Sequence, residues 1–315
     1  MKALFPGILA ALPLLAQQPT PAEMPQEMVW VDRGGQILGR VGAIQNSIFF
    51  PDLSPDGSKI AVSARDGEVN DRDIWLHDVA AGTKHKAAGV KGNDNFPLWS
   101  PDGKSFIFTS SRSGNYDLYR KNLDPDQPEE RIWGDEKIAE YPRAWSPDGK
   151  HLVYTQAGAF GRALYLLRLE AGGPASSALL AKPNVWYDGA RYSPDGRYIA
   201  YASNAGGPWE IWVCEAAEPA RSWKVSRELA NGWAGGGGQV RWRADGKELF
   251  YMMGNDTMIA VDVTTGERFT HGPAKRLFAL PAMRGNFPEE APWLAKHTVT
   301  ADGQRFVFVR TVLTK

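Results

Sequence analysis

The tetrapeptide Ser-Pro-Asp-Gly occurs four times in this chain, ending at Gly57, Gly103, Gly149 and Gly196, and weaker copies end at Gly246 and Gly303. Successive glycines stand 46, 46, 47, 50 and 57 residues apart. A repeat of this period means that one supersecondary unit is stacked on its own copies, because a single unit cannot bury its apolar face alone. The length suits four short strands with their turns, which is one blade of a propeller.

The phase of the apolar residues says which strand lies where. Three and five positions after each glycine stand Ile60 and Val62, Phe106 and Phe108, Leu152 and Tyr154, Ile199 and Tyr201, Leu249 and Tyr251, and Phe306 and Phe308. Alternation of period two marks a strand. Leu53, Trp99, Trp145, Tyr192, Trp242 and Val299 each end a preceding strand. Pro-Asp-Gly is therefore the hairpin turn between first and second strands, where proline presets φ and glycine takes a positive φ. Third strands are expected at 73–76, 117–119, 163–166, 210–213 and 258–261, with a less regular fourth strand after each. The sixth copy stops after its second strand, so residues 28–31 and 36–41 are expected to complete its blade and remove the open sheet edges. The predicted fold is all-β, a six-bladed β-propeller of four-stranded blades over residues 28–315, its ring closed by the N-terminal strands.

Residues 1–16 read as a secretory signal peptide: Lys2 is followed by an uncharged run to Leu15, and the small Ala16 precedes Gln17. Pro6 and Pro13 and the shortness of the run argue against a spanning helix, which needs about 20 apolar residues. Residues 17–27 are polar and proline-rich, a flexible linker. The expected location is the periplasm or the exterior, after cleavage near Ala16, with no transmembrane segment in the mature chain.

The repeats resemble the WD-repeat-like blades of the TolB propeller family, in which Ser-Pro-Asp-Gly leads into one strand and an Asp-Ile-Trp-type strand follows. The likeness covers nearly the whole mature chain. Residues 29–33, 235–251 and 301–306 are also similar to the propellers appended to some bacterial serine/threonine kinases. No kinase glycine loop, catalytic loop or Asp-Phe-Gly motif occurs, so phosphoryl transfer does not follow from that resemblance. The α/β domain that precedes the propeller in TolB is not expected between the linker and the first strand. What the resemblance implies is a scaffold for binding, and a scaffold alone assigns no ligand.

Motifs for chemistry are missing. Gly-x-Ser-x-Gly does not occur. Gly103-Lys104-Ser105 lacks the glycine five residues earlier that a phosphate loop requires, Leu98 standing there instead. His77, His85, His151, His271 and His297 form no short-spaced pair, and Cys214 is the single cysteine, so neither a metal site nor a disulfide is expected. Lysine plus arginine balances aspartate plus glutamate at 36 each, which leaves no basic field for nucleic acid. No cofactor is expected.

Binding is therefore placed on the face where second-to-third loops and inter-blade connections vary in length and chemistry. Arg191 and Arg241 occupy one phase of their repeats, Asp52 holds the same phase in the first, and Arg143 stands one residue earlier in the third. Such charges at a channel mouth are suited to clamp a carboxylate or to tie blades together. Tyr141, Trp186, Tyr187, Trp233 and Trp293 are the aromatic contact candidates, His297 opens a first strand towards the channel, and residues 281–296 form an extra loop. These features point to a secreted, non-catalytic protein that recognises a protein, peptide or envelope component. The alternatives are a hydrolase or lyase whose site converges from several blades, and a ligand sensor without its kinase.

Overall fold

A computed structural model describes residues 25–66, 71–124, 126–158, 161–170, 173–226, 240–253, 257–280 and 296–312. The signal peptide, most of the linker, Trp233, Trp293 and the loop 281–295 lie outside the described residues. Among the described residues every regular element is a strand.

The chain opens with β1 (Pro25–Asp32), then β2 (Ile37–Leu53), β3 (Lys59–Arg65), β4 (Asp73–Asp78) and β5 (Lys84–Ala88). The second repeat supplies β6 (Asp94–Trp99), β7 (Ser105–Ser110), β8 (Asp117–Asn122) and β9 (Glu130–Trp133). In the third are β10 (Ala139–Trp145), β11 (His151–Gly158), β12 (Gly161–Glu170) and β13 (Gly173–Leu180). The fourth has β14 (Tyr187–Tyr192), β15 (Tyr198–Ser203), β16 (Glu210–Glu215) and β17 (Ser222–Lys224). Five strands follow in the next repeat, β18 (Arg241–Trp242), β19 (Glu248–Met253), β20 (Thr257–Thr265), β21 (Phe269–His271) and β22 (Lys275–Ala279), and the chain closes with β23 (His297–Val299) and β24 (Arg305–Thr311).

Repeats two, three and four each make a four-stranded antiparallel sheet in chain order. In the fifth, β20 pairs with β21 along its second half and with β22 along its first. The remaining sheet has seven strands in the order β23-β24-β1-β2-β3-β4-β5, and within it β1 lies antiparallel to β24. Asn46 divides β2, which pairs with β1 before that residue and with β3 after it. β1 begins three residues ahead of the expected Met28, because Gln26 and Glu27 pair with Thr311 and Arg310 of β24; buried Gln26 also accepts the Ile48 N–H on its Oε1 at 2.7 Å.

The repeated turn follows from its local chemistry. Ser54 Oγ donates to Asp56 Oδ1 at 2.6 Å and accepts the Lys59 N–H at 2.9 Å, while Gly57 closes the turn at φ 73°. Ser100, Ser146, Ser193 and Thr300 repeat the bond to Asp102, Asp148, Asp195 and Asp302. Where the fifth copy has Arg243 in place of serine, its Nε donates to Asp245 Oδ1 at 2.7 Å. Hydrogen bonds from Ser54 and Ser58 hold the Asp56 carboxyl down at about 2.

Second strands are buried on both sides, so each serves two neighbours. Phe106 and Phe108 pack with Ala61, Ile74 and Leu76 of the previous repeat, whereas Ile107 packs with Leu152 and Tyr154 of the next. The same arrangement joins repeats three to four, four to five and five to six. A further cluster sets Val307 and Val309 against Ile60 and Val62, joining the last repeat to the first. Trp99 Nε1 donates to Asp52 O at 3.1 Å and Trp242 Nε1 to Arg191 O at 3.0 Å, so two of the repeat tryptophans also tie neighbouring units by a hydrogen bond.

Candidate functional site

The site grows from a bulge repeated in the first strands. Register slips between Phe49 and Asp52, Asn95 and Leu98, Pro142 and Ala144, and Asp188 and Arg191. A bulge leaves an extra residue unpaired and re-aims the side chains around it. At the same phase Phe50 and Phe96 take φ of 54° and 55°, and Gly189 takes 63°. For a bulky residue the left-handed region costs about 1–3 kcal/mol, so the two phenylalanines are held there by their surroundings.

Those surroundings are an aromatic bowl of about 220 Å³, lined by Phe49, Phe50, Arg72, Asn95, Phe96, Tyr116, Tyr141 and Arg162. The Phe50 and Phe96 rings stack with centroids 3.7 Å apart, and Tyr141 packs 5.1 Å from Phe96 and 5.8 Å from Tyr116. Guanidinium groups face these rings: Arg72 lies 4.8 Å from Phe49, Arg143 4.5 Å from Phe96 and Arg162 5.6 Å from Tyr141. Contacts of this kind gain strength when water is excluded. Lys296 lies under the bowl, with Nζ 3.5 Å from the Phe49 ring and donating to Ile48 O; burial holds its pKa well below the ordinary lysine range.

Phe50 and Phe96 also wall a smaller pit of about 20 Å³, where Asp52, Arg143, Arg191 and Arg241 meet. Arg143 and Arg162 both pair with Asp188 at 2.6 Å. Burial pushes the Asp188 carboxyl up, but these two arginines outweigh it and leave the pKa below the ordinary value. Asp52 Oδ2 accepts the Trp99 N–H at 2.9 Å; burial raises its pKa despite opposing pulls from Arg191 and Arg241. Burial lowers Arg143 to about 10 and Arg191 to about 9, and Arg241 moves down for the same reason.

Other expected contact residues are placed apart from these cavities. Trp186 is exposed, and its N–H donates to Asn204 Oδ1 at 2.7 Å. Two expectations need correction. The Tyr187 side chain, 3% exposed, turns inward at the start of β14 and packs 6.0 Å from the Tyr201 ring. His297 is fully buried with its ring stacked on Phe308, and its carbonyl accepts from Arg241 Nη2 at 3.4 Å.

Sequence reasoning missed Arg72, Tyr116 and Arg162. All three immediately precede the first residue of their repeat's expected third strand, 73, 117 and 163, and Trp209 and Thr257 hold that phase in later repeats. Aligning that column would have found them. Chemically, an aromatic floor beneath guanidinium groups suits a ligand group that is flat or apolar on one side and anionic on another.

Residues 34–172 match the family model of the TolB beta propeller domain. Over 166 residues the chain is 29% identical to the Tol-Pal system protein TolB of Helicobacter pylori strain J99, covering 51% of this chain and 38% of that protein. The Tol-Pal system protein TolB of Alcanivorax borkumensis is 30% identical over 90 residues, 29% of this chain and 20% of that one. The chain thus matches well under half the length of these relatives. Among solved structures, putative TolB from Agrobacterium tumefaciens superposes with a TM-score of 0.65 at 17% identity, covering 93% of this chain and 100% of that one. TolB from Acinetobacter baumannii gives 0.56 at 21% identity, with 82% and 66% covered. At these identities the structural likeness concerns the fold alone.

Proposed function

We propose that this chain, whose residues 34–172 match the TolB beta propeller domain, is a non-catalytic binding protein of the bacterial periplasm that recognises a protein, peptide or envelope component through the face bearing the aromatic bowl. The domain is a six-bladed ring over residues 28–315, extended by the first residues of β1. Dividing the seven-stranded sheet at Asn46 yields two blades, which join the four other sheets, and the antiparallel pairing of β1 with β24 supports closure. Residues 1–16 direct export and are removed near Ala16.

The observation that carries this reading is the pair Phe50 and Phe96, held in left-handed conformations at one repeat phase and stacked over an arginine-rimmed cavity. Both rings are largely covered by each other and by their neighbours, and a backbone strained to hold them at the wall of an open cavity suits recognition. Asp52, Arg143, Arg191 and Arg241 line the adjoining pit behind the Phe50 and Phe96 rings, Tyr141 is a wall of the bowl, and Trp186 is an outlying contact. Trp233 and Trp293 remain candidates for the same face. The reading as a convergent hydrolase or lyase loses support because the His297 ring is packed against Phe308. Among the described residues no helix is long and apolar enough to cross a membrane.

The test is capture from an envelope extract on the immobilised mature chain, residues 17–315, with partners identified by mass spectrometry. Arg72→Ala/Arg162→Ala should lose the partner, whereas Lys247→Ala, on the Pro-Asp-Gly side, should keep it. Equal recovery on both variants would place recognition elsewhere.

A further inference from the structure

Around the pit beneath the bowl, four guanidinium groups stand against two carboxylates. Arg143 and Arg162 share Asp188. Arg191 and Arg241 share Asp52 as the acid lining the pit, with the doubly paired Asp188 also near Arg191, and the Asp52 carboxylate already accepts the Trp99 N–H. Among the described residues neither arginine closes an ion pair; Arg191 Nη1 donates to Arg143 O and Ala190 O, and Arg241 to Val240 O and His297 O. Carbonyls satisfy donors but do not neutralise charge. A buried excess of positive charge is costly unless an anion balances it.

Two donors at the pit point the same way. Arg143 Nη2 and Arg241 Nε have no hydrogen-bond partner, on side chains of residues only 4% and 6% exposed. Buried donors are nearly always matched, and both of these belong to residues that line the pit, so an acceptor entering it comes within reach of their side chains. Size then selects the acceptor. A cavity of about 20 Å³ has space for roughly one water-sized particle. A phosphate, a sulfate or a carboxylate with its attached carbon is larger than that.

We propose that the pit is a binding site for one monatomic halide anion, chloride in the cell, held by Arg143, Arg191 and Arg241. Asp52 opposes the anion and limits its affinity. Because Phe50 and Phe96 wall both cavities, the anion would fix the charged base on which the aromatic floor rests. The inference does not depend on what the bowl binds.

The experiment uses the mature chain exchanged into gluconate, whose anion exceeds the pit, and titrated with chloride, bromide, formate or sulfate at constant ionic strength. Thermal unfolding is the readout. Chloride and bromide should raise the midpoint saturably and sulfate should not; Asp52→Asn should tighten the halide response roughly tenfold by removing a like charge. Arg241→Gln should abolish saturation while keeping the native circular dichroism. In bromide-soaked crystals an anomalous peak should lie within hydrogen-bond reach of Arg143 Nη2 and Arg241 Nε. Should Arg241→Gln fail to fold, the Asp52→Asn titration and the bromide peak still decide. Equal responses to all four anions, or no bromide peak, would overturn the site, and competition of formate with bromide would overturn the monatomic assignment in favour of a carboxylate.

Discussion

Replacing Glu140 with Gln should stabilise this protein in mild alkali and leave it almost unchanged in acid. Glu140 lies in β10 with no exposed surface, and neither carboxylate oxygen closes a hydrogen bond of normal geometry. Burial, with the nearby charges of Asp117 and Asp135, raises its pKa from 4.5 to about 7, against weaker opposing pulls from the Asp135 backbone and Gln156. A raised carboxyl pKa means that the folded state holds a proton the unfolded state has released, so stability falls as pH rises from 4.5 to about 7. At about 1.4 kcal/mol per pH unit, the charged form costs up to about 3 kcal/mol above that window. Glutamine keeps the shape and removes the charge. For a domain of this size that corresponds to a rise of roughly 5 °C in the melting temperature at about pH 8, and little change at about pH 4. Thermal unfolding followed by circular dichroism at both pH values measures it. A variant offset that is the same at both pH values would refute the reasoning, since a pH-independent effect cannot come from titrating the carboxylate.

His77 should show the opposite slope. It is fully buried, its Nδ1 accepts the Ala43 N–H at 3.1 Å, and burial, with Lys84 and His85 nearby, lowers its pKa from 6.5 to about 4. Stability is therefore lost as pH falls through that window, and His77→Gln should remove this loss in chemical denaturation curves even where it weakens the fold at neutral pH. Gly57→Ala should cost only about 1–2 kcal/mol of left-handed strain, because an added Cβ there meets nothing within 4 Å. Gly303→Ala should cost clearly more, since its Cβ would stand 2.9 Å from Phe250 Cζ and 3.0 Å from Arg243 Cδ; urea midpoints of the two variants test the order. Cys214 is fully buried and its thiol is pushed up to about 12 by burial, so a thiol reagent at neutral pH should modify it only at the rate of unfolding.

Much of this architecture is legible in the order of residues because it is local and periodic. A serine hydroxyl reaching an aspartate two residues on is encoded by the tetrapeptide itself, and Arg243 preserves the bond where serine is lost. A continuous apolar run in a second strand announces burial on both faces, which Phe106, Ile107 and Phe108 display towards two different neighbours. Sequence phase also aligned Asp52, Arg191 and Arg241, residues that line one pit.

What required the tertiary structure depends on how units about 46 residues apart lean on one another. No local pattern says that a bulge turns Phe50 onto Phe96, or that Arg72, Tyr116 and Arg162 from three repeats rim a single bowl. Nor could phase alone tell that Tyr187 and His297 would face neighbouring rings instead of solvent. Backbone hydrogen bonds and period-two burial act within a strand or hairpin, so the order of residues specifies them directly. The site is a meeting of first strands brought together by packing between repeats, and its size, its net charge and its unmatched donors exist only once those strands are side by side.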